Sequence, residues 1–259
     1  MGGLRSLTKP VFAALDRILR PPRGPRLLIY HQVGAGGGRQ TDVTLEDFQW
    51  QIDWLAENRK VVELESALSH WDSPESEKLA VLTFDDGYLD TFTTAFPVLN
   101  AHGLPFTIYI ATSFIGDDSS CHDRLTWGQL SEMLASGLVT VGAHTDSHAD
   151  LRTLEEDQVA DEIRRSNELI ESRLGVRPRH FAYPWGYWGS TADEIVRREY
   201  ASAALGSARV RTSPAFDLHQ LHRFPVQLSD GRRWFVKRLV GGLLVEEELR
   251  RRIRGYRGP

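Results

Sequence analysis

Short apolar runs alternate with amphipathic stretches along most of the chain. The amphipathic stretches place apolar residues three or four apart, which predicts helices, and Thr44 and Thr126 stand where N-caps are expected. Strands that alternate with helices favour a parallel sheet with right-handed crossovers. The pattern therefore predicts one barrel-like α/β domain. The apolar runs that predict its strands lie at 27–30, 81–84, 106–111, 139–142, 181–183, 201–205 and 221–226.

Basic residues are concentrated at the two ends of the chain. Residues 1–26 carry six Lys and Arg against one Asp, and residues 231–259 carry nine against three Glu. The stretch between them, 27–230, carries 16 basic and 31 acidic residues. Near-helical spacing of apolar residues over 4–20 predicts a basic amphipathic arm, which a proline-rich linker ends. We therefore expect an N-terminal arm with its linker over 1–26 and one domain over 27–259.

The basic ends suggest contact with an anionic membrane surface. No run approaches the roughly 20 apolar residues of a membrane-spanning helix, and the apolar run 11–15 is shorter than the roughly 7–15 residues of a signal-peptide core. We expect a cytoplasmic protein that lies at the inner face of the membrane. One alternative is an arm that packs on the domain, with solvated C-terminal arginines. Another is an exported protein whose start site is misassigned.

Composition excludes several classes of protein. With 41% apolar and 25% charged residues, the chain is neither collagen-like, nor disordered, nor a membrane bundle. The one cysteine, Cys121, excludes an internal disulfide framework and a multi-cysteine metal site. We expect neither a nucleic-acid partner nor an obligate protein partner.

Polar side chains directly follow three of the predicted strands. Asp85 and Asp86 follow the second strand, His144 and His148 follow the fourth, and Pro184-Trp185-Gly186 follows the fifth. In a parallel α/β barrel, the carboxyl ends of the strands meet at the rim that holds the active site. We therefore expect these groups to converge. His31 at the end of the first strand, and His222 and Arg223 in the last, are further candidates for the same rim.

Two imidazoles and one carboxylate form a three-ligand set that leaves metal positions open for water or substrate. Asp85 and Asp86 are adjacent on a segment predicted to be extended, so one can face the metal while the other acts as a base. Alone, the Asp pair would suggest a turn, and the pair His144 and His148 a surface or core pair. Non-haem iron oxygenases use a similar ligand set, but usually as His-x-Asp/Glu with a distant His, which this order does not match.

These residues resemble the polysaccharide deacetylase family, the NodB-homology domain of carbohydrate esterase family 4, over roughly 27–226. The resemblance implies a distorted (β/α) barrel, usually of seven strands, and a divalent metal, typically zinc. It also implies hydrolysis of an N-acetyl, sometimes O-acetyl, group of a glycan. The matching motifs are Thr83-Phe84-Asp85-Asp86-Gly87, His144-Thr145-Asp146-Ser147-His148 and Phe181-Ala182-Tyr183-Pro184-Trp185-Gly186, with Leu125-Thr126-Trp127 and Tyr30-His31 in support.

The resemblance also implies roles for individual residues. Asp86, His144 and His148 would hold the metal, Asp85 would be the general base, and Thr145 would brace the histidine loop through its hydroxyl. At the rim, the backbone N–H of Trp185 would stabilise an oxyanion. Tyr183 and His31 would complete the substrate side of the site.

Two departures from the family pattern concern the groups around the base. Many members carry an arginine where this chain has Ala182, and many end in a Leu-x-His-Asp motif that supplies the general acid. The nearest segment here contains His222 and Arg223. We expect Arg223 to replace the missing arginine beside Asp85, and His222 is the candidate acid. The alternative function is a catalytically silent glycan-binding domain of the same fold, and the intact Asp85 argues against it.

Overall fold

In the described parts of the chain, ten parallel strands, eight of them in one sheet, form the framework of the protein. The computed structural model describes residues 9, 24–117, 123–206, 216–246 and 249. The main sheet has the order β10-β1-β5-β6-β7-β8-β9, with β4 paired to β5, and β2 and β3 form a separate pair. The strands are β1 (Arg26–Tyr30), β2 (Gln32–Val33), β3 (Asp42–Val43), β4 (Lys60–Val61), β5 (Leu79–Asp85), β6 (Phe106–Ile110), β7 (Val139–Ala143), β8 (His180–Ala182), β9 (Ser202–Ala204) and β10 (Phe224–Pro225).

Helices connect the strands and cover the outside of the sheet. They are α1 (Leu45–Asn58), α2 (Leu64–Ser69), α3 (Phe96–Ala101), α4 (Trp127–Ala135), α5 (Glu156–Leu174), α6 (Ser190–Glu199) and α7 (Gly231–Leu239). A π-helical segment, Thr91–Ala95, leads into α3. As predicted, Thr44 caps α1 by accepting a hydrogen bond from Asp47 N, and Thr126 forms a capping box with Gln129.

The parallel sheet curls into a barrel-like form. Seven of its strands, β1 and β5 to β10, follow one another around the curl, and β10 pairs with β1 through Leu28 and Phe224. A parallel bridge between Ala204 and Leu221 joins β9 to the segment that leads into β10. The predicted distorted barrel of about seven parallel strands is confirmed.

The strands are apolar because both faces of the sheet are covered. Every residue of β1, β5 and β6 is buried, which explains why these strands read as continuous apolar runs without alternation. Aromatic rings fill the core beneath the carboxyl end of β5, where Phe84 stacks on Tyr30 and meets Phe106 edge-on. This packing fixes the strand end from which Asp85 projects.

Several elements were not predicted from the pattern. These elements lack a distinct apolar run in the sequence, because each buries only a few side chains. They are the short pair β2 and β3, strand β4, and helices α2 and α7. The last predicted strand, 221–226, is reduced to Phe224–Pro225. Its remaining residues contact the sheet through single bonds, such as that from Val226 N to Ile29 O.

Most of the predicted arm, Cys121 and the C-terminal tail lie outside the described residues. Within the arm, the structure describes Lys9, whose buried side chain donates to Ser229 O at 2.9 Å and pairs with Asp230. Arg26 is also buried, and its Nε donates to Leu239 O at 2.9 Å. Among the described helices, none has the length and apolar character needed to cross a membrane.

Candidate active site

The carboxyl ends of β5 and β7 bring one carboxylate and two imidazoles together. Asp86 follows β5, and His144 and His148 follow β7. Asp86 Oδ1 lies 3.4 Å from His144 Nε2 and 3.3 Å from His148 Nε2. The ligand atoms of the three side chains all lie within 4.8 Å of one another. The convergence expected from the strand pattern is therefore present.

The chemistry and spacing of this cluster fit a bound cation. Asp86 Oδ1 is buried and accepts no hydrogen bond from the described protein, although two imidazole nitrogens face it. Ligands at about 2.0–2.1 Å from a tetrahedral zinc ion stand roughly 3.4 Å apart, which matches the two observed separations. Imidazole and carboxylate are also ligands that zinc accepts.

The hydrogen bonds and charges around the cluster favour a positive charge between its side chains. His144 Nδ1 lies 2.7 Å from Ala182 O, so the carbonyl accepts from Nδ1–H, and Nε2 on the side of Asp86 is left as the nitrogen that can bind a cation. Burial raises the pKa of Asp86, but the imidazoles of His144 and His148 outweigh it and hold that pKa well below its usual range. Burial lowers the pKa of His144, but the carboxylates of Asp86 and Asp85 outweigh this and raise it.

Arg223 reaches Asp85 from the last strand region. Its Nη1 donates to Asp85 Oδ1 and its Nη2 to Asp85 Oδ2, both at 2.7 Å. Two further donors of Arg223 are directed to Leu205 O at 2.8 Å and Thr83 Oγ1 at 3.1 Å. Burial raises the pKa of Asp85, but the charges of Arg223 and His144 outweigh it and lower the pKa. Asp85 is therefore held as a carboxylate, with Oδ2 3.9 Å from His144 Nε2.

Left-handed backbone is concentrated at this site. Among the described residues, five that are not glycine have positive φ, and four of them are Asp86, Thr145, His148 and Trp185. The extended segment predicted for the Asp pair is thus wrong at Asp86, whose φ is 72°. The chain turns at Asp86 directly after β5, and both carboxylates lie within 4 Å of His144 Nε2, Asp85 Oδ2 at 3.9 Å and Asp86 Oδ1 at 3.4 Å. Such conformations cost about 1–3 kcal/mol each and persist where the surroundings enforce them.

The loop between the two histidines is braced from within. Thr145 Oγ1 accepts a hydrogen bond from His148 N at 3.0 Å, which is the contact expected of a supporting hydroxyl. On the outer side, Trp185 is 63% exposed and packs edge-on against His148, with ring centroids 5.0 Å apart. Trp185 is therefore available to a substrate at the rim.

The other predicted rim residues have different outcomes. Tyr183 is fully buried, and its hydroxyl donates to Asp193 Oδ1 at 3.1 Å, so its ring cannot contact a glycan and belongs to the core. His31 lies near the cluster, where burial lowers its pKa and the charges of Asp86 and Asp85 act against that. His222 adjoins Arg223, and its role as an acid stays a prediction.

A sequence profile described as Polysaccharide deacetylase matches residues 72–202, about half of the chain and most of this site. The chain belongs to the polysaccharide deacetylase family. The predicted family is confirmed, and with it the class of enzyme, a hydrolase that acts on carbon–nitrogen bonds other than peptide bonds.

Relatives in this family cover different shares of the chain. YxkH of Bacillus subtilis, provisionally named a polysaccharide deacetylase, is 27% identical over 215 residues, which are 82% of this chain and 74% of that protein. The poly-β-1,6-N-acetyl-D-glucosamine N-deacetylase of Staphylococcus epidermidis is 30% identical over 155 residues. That match spans 56% of this chain and 54% of the relative.

A solved structure supports the fold at greater coverage. IcaB from Ammonifex degensii has a TM-score of 0.71 and 26% sequence identity, and the match covers 86% of this chain and all of that one.

Two residues that support the cluster of this deacetylase, one at Asp86 and one at the histidine loop, carried no signal in the sequence. Arg124 Nη1 donates to Asp86 O at 2.8 Å, and its guanidinium lies between the rings of Tyr88 and Phe114. Glu162 on α5 accepts hydrogen bonds from the histidine loop. Neither residue stands in a motif, since each reaches the site only through packing between distant elements.

Proposed function

We propose that this chain removes N-acetyl groups from a polymer of β-1,6-linked N-acetylglucosamine, in a reaction that needs a divalent metal. The substrate class rests on the names of the relatives from Staphylococcus and Escherichia coli. The observation that carries the activity is Asp85, a buried carboxylate fixed by Arg223 beside the cluster of Asp86, His144 and His148. A general base in contact with a metal site is what acetamide hydrolysis requires.

The metal that we propose is zinc. Asp86, His144 and His148 would hold it, since their donor atoms have suitable chemistry and spacing. When bound, such an ion lowers the pKa of water toward about 7 and polarises a carbonyl oxygen. Purified protein should then contain about one equivalent of metal. His144→Ala should remove it, and unchanged metal content in this variant would contradict the assignment.

The side chains around the cluster divide the remaining work. Asp85 accepts the proton of the attacking water, and Arg223 keeps the Asp85 carboxylate ionised and oriented. The backbone N–H of Trp185 donates to the developing oxyanion, while its exposed ring faces the sugar. His222 is the proposed donor of the proton that the departing amine requires, and His31 lines the neighbouring wall.

The competing function is a silent glycan-binding domain. Burying a carboxylate costs free energy, because the charge loses its water. A domain that only binds glycan has no need for such a buried carboxylate beside a metal cluster. The pair Asp85 and Arg223 therefore favours the enzyme.

Acetate release separates the two functions and tests the substrate. We would incubate the protein with poly-β-1,6-N-acetylglucosamine, chitin oligomers and an O-acetylated xylan, each with and without a chelator. The proposal predicts chelator-sensitive acetate release that is greatest on the β-1,6-linked polymer. Binding without acetate release would support the silent domain, and preference for the xylan would show that the acetyl linkage is assigned wrongly.

The anionic membrane surface also stays a proposal, and the structure reduces the charge available for it. Lys9 and Arg26 of the arm segment are buried, as is Arg238 near the C-terminal end. Attraction to anionic lipid contributes about 1 kcal/mol for each basic residue near the surface. Contact with the membrane would therefore depend on the remaining basic residues of the two ends, among them Arg232 and Arg233, which are exposed on α7.

A further inference from the structure

A carboxylate on a neighbouring helix holds the loop that carries both histidines of the cluster. Glu162 Oε2 accepts hydrogen bonds from the backbone N–H of Asp146 at 3.1 Å and of Ser147 at 2.8 Å. Glu162 Oε1 accepts from Ser147 Oγ at 2.8 Å. Asp146 and Ser147 lie between His144 and His148, so this one side chain fixes the middle of the loop.

The position of Glu162 on α5 directs it to the loop. Val159 and Ser166, three residues before it and four after, are buried, so Glu162 lies beside the face of α5 that packs on the barrel. The same helix also carries acids on its exposed surface, where Glu168 pairs with Arg164 at 2.9 Å. Glu162 differs because its described hydrogen bonds go to the backbone and hydroxyl of another element.

The loop needs this contact because its backbone is strained. Thr145 and His148 have φ of 66° and 60°, in the left-handed region that residues with a Cβ avoid. The segment that follows β6 also binds the loop, since Thr112 Oγ1 donates to Asp146 Oδ1 at 2.6 Å and Thr112 N donates to Thr145 O at 3.2 Å. The loop is therefore held by hydrogen bonds to both α5 and the segment that follows β6.

We propose that Glu162 is a positioning residue for the metal site, which sets metal affinity by holding the peptides between the two histidine ligands. The proposal rests on the metal-dependent function proposed above. Without Glu162, two adjacent N–H groups lose their acceptor, and the left-handed turn that aims His148 at Asp86 relaxes. The imidazole must then be reoriented whenever metal binds, which weakens binding. Groups that orient ligands in this way typically contribute 10–100-fold to metal affinity.

The test measures Zn²⁺ affinity by competition with a chromophoric chelator. The proteins are wild type, Glu162→Ala, Glu162→Gln and the control Glu168→Ala, which removes a carboxylate from the exposed face of the same helix. We expect affinity to fall about 10–100-fold in Glu162→Ala and less in Glu162→Gln, whose carbonyl oxygen can still accept. Glu168→Ala should match wild type.

Thermal unfolding with and without Zn²⁺ distinguishes positioning from a general structural role. If Glu162 only stabilises the fold, its loss lowers Tm equally in both conditions and leaves the metal-induced increase unchanged, which would overturn the proposal. If it positions the ligands, the metal-induced increase itself shrinks. Should Glu162→Ala fail to fold, Glu162→Gln decides between these outcomes. Failure of wild type to bind Zn²⁺ would instead contradict the metal site on which the proposal rests.

Discussion

Two carboxylates in the interior, Asp85 and Asp230, are paired with arginine in similar ways but have different surroundings. Arg223 donates to both oxygens of Asp85, and Arg238 donates to both oxygens of Asp230 at 2.9 and 3.1 Å. Burial raises the pKa of each carboxyl, and the neighbouring cations outweigh it, so both pKa values are lowered. The lowered pKa alone therefore does not identify the catalytic group.

The neighbours of each pair show the difference. Asp230 also accepts hydrogen bonds from Lys9 and from Gln227 N. Together with Arg238 on α7, these bonds connect the arm, the turn before α7 and α7 itself. Asp85 instead lies beside the ligand cluster, 3.9 Å from His144 Nε2. One carboxylate is saturated by structural contacts, whereas the other adjoins groups that need a cation or a substrate.

The strongest test of this difference is Asp85→Asn. Without the carboxylate, no base accepts the proton of water, so the turnover of metal-loaded protein should fall by about 10²–10⁴. Metal content should be retained, because Asp85 is not one of the proposed ligands. It is measured on the same samples as acetate release. Metal loss as great as in Asp86→Asn would show that the two aspartates have exchanged roles.

Asp230→Asn should have the opposite effect. Arg238 and Lys9 would lose their buried counter-charge, which typically costs 3–5 kcal/mol of unfolding free energy, roughly as for any broken buried ion pair. Urea unfolding measures this loss, and acetate release per folded molecule should be unchanged. In wild type, the lowered pKa of Asp230 stabilises the fold above the usual pKa of Asp, about 4, and this contribution is lost as pH falls further. A fall in turnover of the folded variant would contradict the assignment.

A smaller effect is expected when the partner of the base is changed. Arg223→Ala removes the cation that lowers the pKa of Asp85, so the base is protonated at higher pH. The acid limb of the pH–rate profile should therefore move upward, and Arg223→Lys, which keeps the charge but loses the paired hydrogen bonds, should move it less. An acid limb that does not move would mean that the observed contact has no influence on catalysis.

Residues at the ends of regular strands were predictable, because a strand end is a local feature of the sequence. Asp85, Asp86 and the two histidines each follow an apolar run, and their convergence needs only parallel strands. Glu162 was not predictable in this way, since its contact depends on how α5 docks against a loop. The turn at Asp86 was missed because the apolar run before it favoured an extended segment over the turn that the Asp pair alone would suggest.

The buried pair of Lys9 and Asp230 bears on whether the N-terminal arm can bind a membrane. An arm that leaves the domain to lie on lipid must break the pair between Lys9 and Asp230, which opposes release. We therefore expect removal of residues 1–23 to lower the free energy of unfolding and to leave the affinity for anionic vesicles little changed. Urea unfolding and co-sedimentation with phosphatidylglycerol or phosphatidylcholine vesicles, at low and high salt, provide the two measurements. The opposite result would be salt-sensitive binding to phosphatidylglycerol that is lost on truncation while the free energy of unfolding is unchanged. It would show that the arm binds the membrane and that the Lys9 contact contributes little to stability.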